Sequence, residues 1–157
     1  MPGDSFAVDD AHLPIVVLTS APRLTGESIL DLEAALERCF SHRTRFVLVC
    51  DLREVAAVPD ALVRKRIAEL MNRADIRDRQ ARFQVASVNV FASAPVRAAV
   101  TALLWLWSPP TPMAAVGSWD EAMTEALSRA RDAKLAIPPE VERWALGGPT
   151  SRTGLGR

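Results

Sequence analysis

Three carboxylates, Asp51, Glu54 and Asp60, fall close together at the end of the apolar run "FVLVC" that begins at Phe46. Carboxylates held near one another can divide general acid and base work when their surroundings push their pKa values apart. The carboxyl ends of strands are also where α/β sheets place their sites. The other reactive residues are sparse. His12 and His42 are the only histidines, both in polar connecting segments and without the spacing of a pair. Cys39 and Cys50 are the only cysteines, in a helical pattern and at a strand end, and both read as reduced core residues. There is no tyrosine, and no GxGxxG, GxxxxGK[ST] or GxSxG motif occurs. Four of the seven glycines fall at 147–156, which leaves little for a phosphate-cradling loop. No metal and no cofactor is expected, and a carboxylate-based enzyme at Asp51, Glu54 and Asp60 is the weakest of three readings.

Two other stretches could bind rather than react. Between Arg64 and Arg82, seven basic residues (Arg64, Lys65, Arg66, Arg73, Arg77, Arg79 and Arg82) face three acids (Glu69, Asp75 and Asp78). Such a stretch is either a solvated helix face or a docking face for an acidic partner. No aromatic residues interleave with these arginines, so nucleic acid is not expected. In "LLWLW", residues Leu103 to Trp107 cover every side of a helical turn and cannot all point into one core. Either the C-terminal segment bearing Trp144 covers them, or part is exposed as a surface for a partner protein or a second copy of the chain. A ligand pocket walled by these residues is the remaining option.

The elements that must position these residues alternate. "IVVL" from Ile15 reads as a buried strand, with the weaker "SFAV" before it as a hairpin partner across "DDAH". A helix follows from Thr25 to Phe40, with Thr25 as its cap, Ser28 in the place of the usual Glu of a capping box, and acids in its first turns. Phe46 to Cys50, apolar at every position, reads as a central strand covered on both faces. Pro59 and Asp60 open a second helix whose apolar face is Leu62, Val63, Ile67, Leu70, Met71 and Ala74. "VASVNVF" from Val85 is another strand, and Ser93 caps a helix with Pro95 in its first turn. That helix runs into "LLWLWSPP", where the prolines stop it. "PMAAVG" reads as the last strand, and Ser118 with Glu121 has the spacing of a capping box before the fourth helix. "AIPPEVERWAL" is expected to form a short helix that docks Trp144.

Strand and helix alternation of this kind predicts an α/β sandwich: a four-to-five-stranded, mostly parallel or mixed sheet with about four helices. The 157 residues divide into a domain over 1–135, a helical extension over 136–147 and a tail over 148–157 expected to be disordered. Nineteen basic and nineteen acidic residues cancel, so no global field draws the chain to nucleic acid or an anionic membrane. The acidic start "MPGDSFAVDD" lacks the order of a signal peptide, and Ala98 to Trp107 covers about half a membrane span. A cytoplasmic protein without membrane insertion is the expectation.

Two stretches resemble the STAS domain, the fold of bacterial anti-anti-sigma factors and of sulfate-transporter tails. "VLVCDLREVAAVPDALVRKRIAEL" is similar to the family's strand, Asp-Leu, short loop and helix. "VASVNVFASAPVRAAVTALLWLW" followed by "PMAAVGSWDEAMTEAL" is similar to its later strand, "S-P-x-V-R" helix, final strand and "S-x-x-E-A" helix. Ser93, Pro95, Val96, Arg97, Ser118, Glu121 and Ala122 carry that pattern, and the order agrees over roughly residues 6 to 133. The resemblance implies a non-catalytic regulatory module that binds a protein partner. Phosphorylated members carry Asp-Ser-Ser-Gly in the loop, where this chain has Pro59, Asp60, Ala61 and Leu62. Asp60 falls at the modified serine, so the serine switch is absent.

The first expectation is therefore a STAS-like interaction module that binds through Asp51, Arg53, Glu54, Asp60, Arg64 and Lys65, or through Trp105 and Trp107. The second is a small-ligand or lipid-binding α/β domain. A cavity beside Trp105 or Trp107 would favour the second, a flat surface at the 51–66 region the first, and a deep pocket gathering the three acids the enzyme.

Overall fold

The computed structural model describes residues 5–147; the expected tail at 148–157 lies outside the described residues. Five strands, β1 (Phe6–Asp9), β2 (Ile15–Ser20), β3 (Phe46–Asp51), β4 (Gln84–Val90) and β5 (Met113–Val116), form one mixed sheet in the order of the chain. β1 pairs antiparallel with β2, as the weak "SFAV" signal implies, and the remaining pairings are parallel. Six helices connect or follow the strands: α1 (Ser28–Ser41), α2 (Ala61–Asn72), α3 (Ala74–Phe83), α4 (Ala94–Leu103), α5 (Trp119–Asp132) and α6 (Pro139–Leu146).

The pleat of the central strands sorts residues between two cores. Ile15, Val17, Val47, Val49, Val88 and Val90 pack on the face covered by α5 and α6. Val16, Leu18, Phe46 and Leu48 pack on the other, against Leu32 and Leu36 of α1 and Leu70 and Met71 of α2. β3 contributes to both, which is why its first five positions are apolar.

The helix starts follow capping chemistry. Asp60 accepts the Val63 N–H at 2.9 Å, Ser93 accepts the Val96 N–H at 3.3 Å, and Ser118 accepts the Glu121 N–H at 3.2 Å. Glu121 returns a bond, but from the Gly117 N–H rather than from the residue of the cap. At α1 the expected roles are reversed. The Thr25 side chain does not cap; instead the Ser28 hydroxyl accepts the Thr25 N–H at 2.9 Å, the reciprocal half of a capping box.

Three expectations need correction. The segment 74–83 forms a separate helix, α3, because Arg73 leaves helical geometry at ψ 135° and ends α2. Leu62 and Ala74, placed on the buried face of α2, are exposed, and Ala68 is buried instead. Trp105 lies in a turn beyond the end of α4, and Trp107 in the irregular segment that follows, rather than on the helix.

Candidate functional site

α4 is one of the more apolar helices, yet Val96 is its only fully buried residue. It packs on α2 and stands off the sheet. Beneath it lies a cavity of about 160 Å³ between the sheet and helices α1, α2 and α4. The space follows from side-chain size. On the cavity side β4 presents Ser87 and Asn89, both buried, where β3 presents Leu48 and Cys50. Opposite them α4 offers Ala99 and Val100, so two layers of modest side chains meet and leave a gap. Ile67, Met71 and Leu103 complete much of the apolar wall.

The surface of the cavity is almost wholly apolar, although two glutamines belong to its lining. Gln80, at the last turn of α3, and Gln84, at the start of β4, both line it, and the Gln84 N–H donates to the Gln80 carbonyl. Trp107 also lines the cavity, and its flanking backbone is pinned to α2 and α3. Asn72 Nδ2 donates to the Leu106 carbonyl at 2.9 Å, and Arg77 Nη1 donates to the Ser108 carbonyl at 2.7 Å. Gln80 Oε1, Gln84 Oε1 and Trp107 Nε1 are buried without a hydrogen-bond partner. Leaving a buried polar atom unpaired costs roughly 1–3 kcal/mol.

The candidate residues of the sequence fall in separate places. Asp51 is buried at the end of β3 and is held by its own loop: Arg53 donates to it from its backbone N–H, from Nε at 2.9 Å and from Nη2 at 2.8 Å. This pairing raises the Arg53 pKa above its ordinary value. The Arg53 guanidinium also lies 4.9 Å from the centre of the Trp119 ring, a cation–π distance. Glu54 is exposed, and Asp60 is engaged as the α2 cap. None of the three acids lines the cavity. Lys65 is exposed and 3.9 Å from Glu69, whereas Arg64 lines the cavity and donates Nη1 to the Pro59 carbonyl at 2.5 Å. Trp107 is buried against the α1–α2 core, but Trp105 is 87% exposed. Trp144 does not cover this region: it packs on the opposite face of the sheet and stacks on His12, with ring centres 3.9 Å apart.

Much of the charge of the basic stretch is used inside the molecule. Arg73 bonds Glu33 and Asp75, and Arg79 bonds Glu37 and Asp75, which fastens α3 to α1. Both cysteines are free thiols, and burial pushes each pKa up to about 12. Among the described residues no group of three or more His, Cys, Asp or Glu could hold a metal ion, and no helix is long and apolar enough to cross a membrane.

Gln80, Gln84, Ser87 and Asn89 are the residues that sequence reasoning missed. The alternation Ser-Val-Asn-Val in β4 carried a signal, since a strand covered on both faces should be apolar on both. Gln80, inside a charged stretch, carried none. No family model matches the chain, and neither a curated protein nor a solved structure does, so its function must be argued from this geometry.

Proposed function

We propose that this chain is a non-catalytic binding domain that takes a small, largely apolar molecule into the cavity under α4. The observation that carries this reading is the apolar cavity itself, with Trp107 among its lining residues and the acids Asp51, Glu54 and Asp60 outside it. Its volume of about 160 Å³ is close to the ~150 Å³ of engineered apolar cavities that take up benzene. A ligand that binds only the folded state raises the melting temperature by an amount that grows with the logarithm of its concentration above Kd. Saturating toluene or indole should raise the Tm of the wild type, and Val100→Phe, which extends a side chain into the space, should abolish the shift. A wild type that binds no apolar probe would remove this reading.

A second reading, the STAS-like protein-interaction module, draws on a different observation. Trp105 is 87% exposed beside Leu106 at 54%, a pair of large apolar side chains at the surface after α4. Aromatic anchors of this kind carry much of the energy of protein interfaces. Capture experiments with the wild type, Trp105→Ser and a variant with Arg64, Lys65 and Arg66 reversed in charge test it. A specific protein partner lost on Trp105→Ser supports the surface; identical capture by all three proteins removes it.

A further inference from the structure

We infer that the open edge of β5 receives an extended, acidic segment of a partner protein, which pairs with the backbone of Met113 and Ala115 and sets a carboxylate against Arg97. The inference uses backbone groups that play no part in the ligand-binding reading above, and it stands or falls separately from it.

The sheet runs from β1 to β5 in chain order, so these two strands are its edges. Edge strands present unpaired N–H and C=O groups, which proteins blunt with charge, proline, bulges or cover. β1 carries Asp9, runs into Asp10 and has α1 packed beside it. β5 reads Met-Ala-Ala-Val, with no charge, no proline and no irregularity in its pairing with β4. Its register fixes which groups face outward. The N–H groups of Ser87 and Phe91 donate to the carbonyls of Pro112 and Val116, so residues 112, 114 and 116 turn their backbone toward β4. Met113 and Ala115 therefore turn theirs away from the sheet, and Ala115 is exposed. The Ala115 carbonyl accepts from Arg97 Nη2 at 3.3 Å, and the Gly117 N–H donates to Glu121 Oε2 at 3.2 Å. Among the described residues no bond reaches the Met113 N–H, the Met113 carbonyl or the Ala115 N–H.

Charge decides what this edge accepts. From Arg79 to Trp119 the chain holds no acid, and Arg97 is the only charged residue between Phe91 and Trp119. Arg97 is exposed in the first turn of α4, and its guanidinium reaches the outward carbonyl of Ala115. Among the described residues no carboxylate pairs with it. An incoming strand thus meets a single cation at the middle of the edge. A second copy of this chain fits that cation poorly. Two-fold antiparallel pairing would set Ala115 opposite Met113 of the other copy and bring the two Arg97 side chains together, like charge against like. An extended peptide with Asp or Glu on the α4 side instead gives Arg97 a carboxylate, while its backbone bonds Met113 and Ala115. Glu121, held at Gly117 just past the strand, keeps that acid opposite residues 113 to 115.

The experiment is selection of a random peptide library, displayed on phage, against the full chain, followed by calorimetric titration of the selected peptides. These should carry Asp or Glu among β-branched residues. Ala115→Pro removes an outward donor and leaves the ladder to β4 whole, so it should weaken binding at least roughly tenfold. Arg97→Glu should weaken it as well and shift the preference to peptides with Lys in place of the acid. That exposed change keeps the test valid if Ala115→Pro fails to fold. Exchange of the Met113 and Ala115 amides should slow on binding, while that of Ala114 and Val116 stays as it was. A library that yields no binder, binders without an acid, or binders that hold both variants as tightly as the wild type would overturn the inference. Loss of binding on Trp105→Ser alone would overturn it in favour of the apolar surface after α4. A dimer of the free chain that Ala115→Pro dissolves would overturn it in favour of a second copy. Uptake of toluene is read independently of all these outcomes.

Discussion

Asp60 stands where the STAS resemblance would place a modified serine, but its carboxylate is occupied with the Val63 N–H of α2. Asp60→Ala should cost about 0.5–2 kcal/mol, the range of a lost cap, and Asp60→Asn should recover most of it, both read from urea midpoints. A substantially larger loss would show that Asp60 does more than cap. Asp51 is likewise committed, through its bonds to Arg53. The thiols of Cys39 and Cys50, pushed up to about 12 by burial, are almost wholly protonated at pH 8. Both should react with a thiol reagent far more slowly in the native protein than in denaturant. Cys50 lines the cavity, so its residual reactivity should fall further when toluene is bound.

Among the elements, α3 depends on ion pairs more than on apolar burial, since only Ile76 and Gln80 of its ten residues are buried. Arg79 bonds Glu37 and Asp75, and its guanidinium sits 5.2 Å from the centre of the Phe40 ring. Arg79→Ala should destabilise the fold by about 1–2 kcal/mol, more than an isolated surface pair, because packing on Phe40 is lost with the charge. Raising the salt from about 0.1 M to 1 M should shrink the difference, since the Debye length falls from about 10 to 3 Å. An equal difference at both salts would assign the effect to packing alone. α5 carries a separate local strain: Lys134, just past its end, has φ 58°. Lys134→Gly should stabilise the protein by roughly 0.5–1 kcal/mol, because a side chain in the left-handed region costs energy that glycine does not incur.

For the whole molecule, three carboxylates couple stability to pH in the same direction. Arg38 donates to Asp10 from Nε and Nη2, and His42 Nε2 lies 2.8 Å from the same carboxylate. Arg38 first and His42 second lower the Asp10 pKa from 3.8 to about 2. Arg79 lowers Glu37, and Arg73 lowers Asp75. A carboxylate whose pKa is lower in the folded than in the unfolded state stabilises the fold above its unfolded pKa. That contribution is lost as pH falls through the folded value. Stability should therefore be flat near pH 6 and decline between about pH 4 and 2. Asp10 should account for roughly 1 kcal/mol of the decline, because the exposure of Arg38 screens the pair. Denaturation midpoints at pH 6, 4, 3 and 2.5 check this, and Asp10→Asn should flatten the curve.

The layout of strands and helices was legible because each element carries its own local cause. β3 is apolar at five consecutive positions, and Asp60, Ser93 and Ser118 sit where orphan N–H groups need an acceptor. The α2–α3 boundary was not legible, since apolar spacing continues past Asn72 and only the turn at Arg73 ends the helix. Nor could the sequence divide "LLWLW" between inside and outside. Bonds from Asn72 and Arg77, more than thirty residues upstream of their partners, hold Trp107 inward while Trp105 stays in solvent. The cavity belongs wholly to tertiary structure. Ser87 and Asn89 on β4 and Ala99 on α4 are unremarked in a linear reading, and they create space only because the fold sets them face to face. Sequence by itself determined the alternation of strands with helical segments, the caps of α2, α4 and α5 and the absence of familiar phosphate and hydrolase motifs. Only the tertiary structure decided which residues meet, because a cavity is a shortfall of volume between distant segments and local pattern does not encode volume.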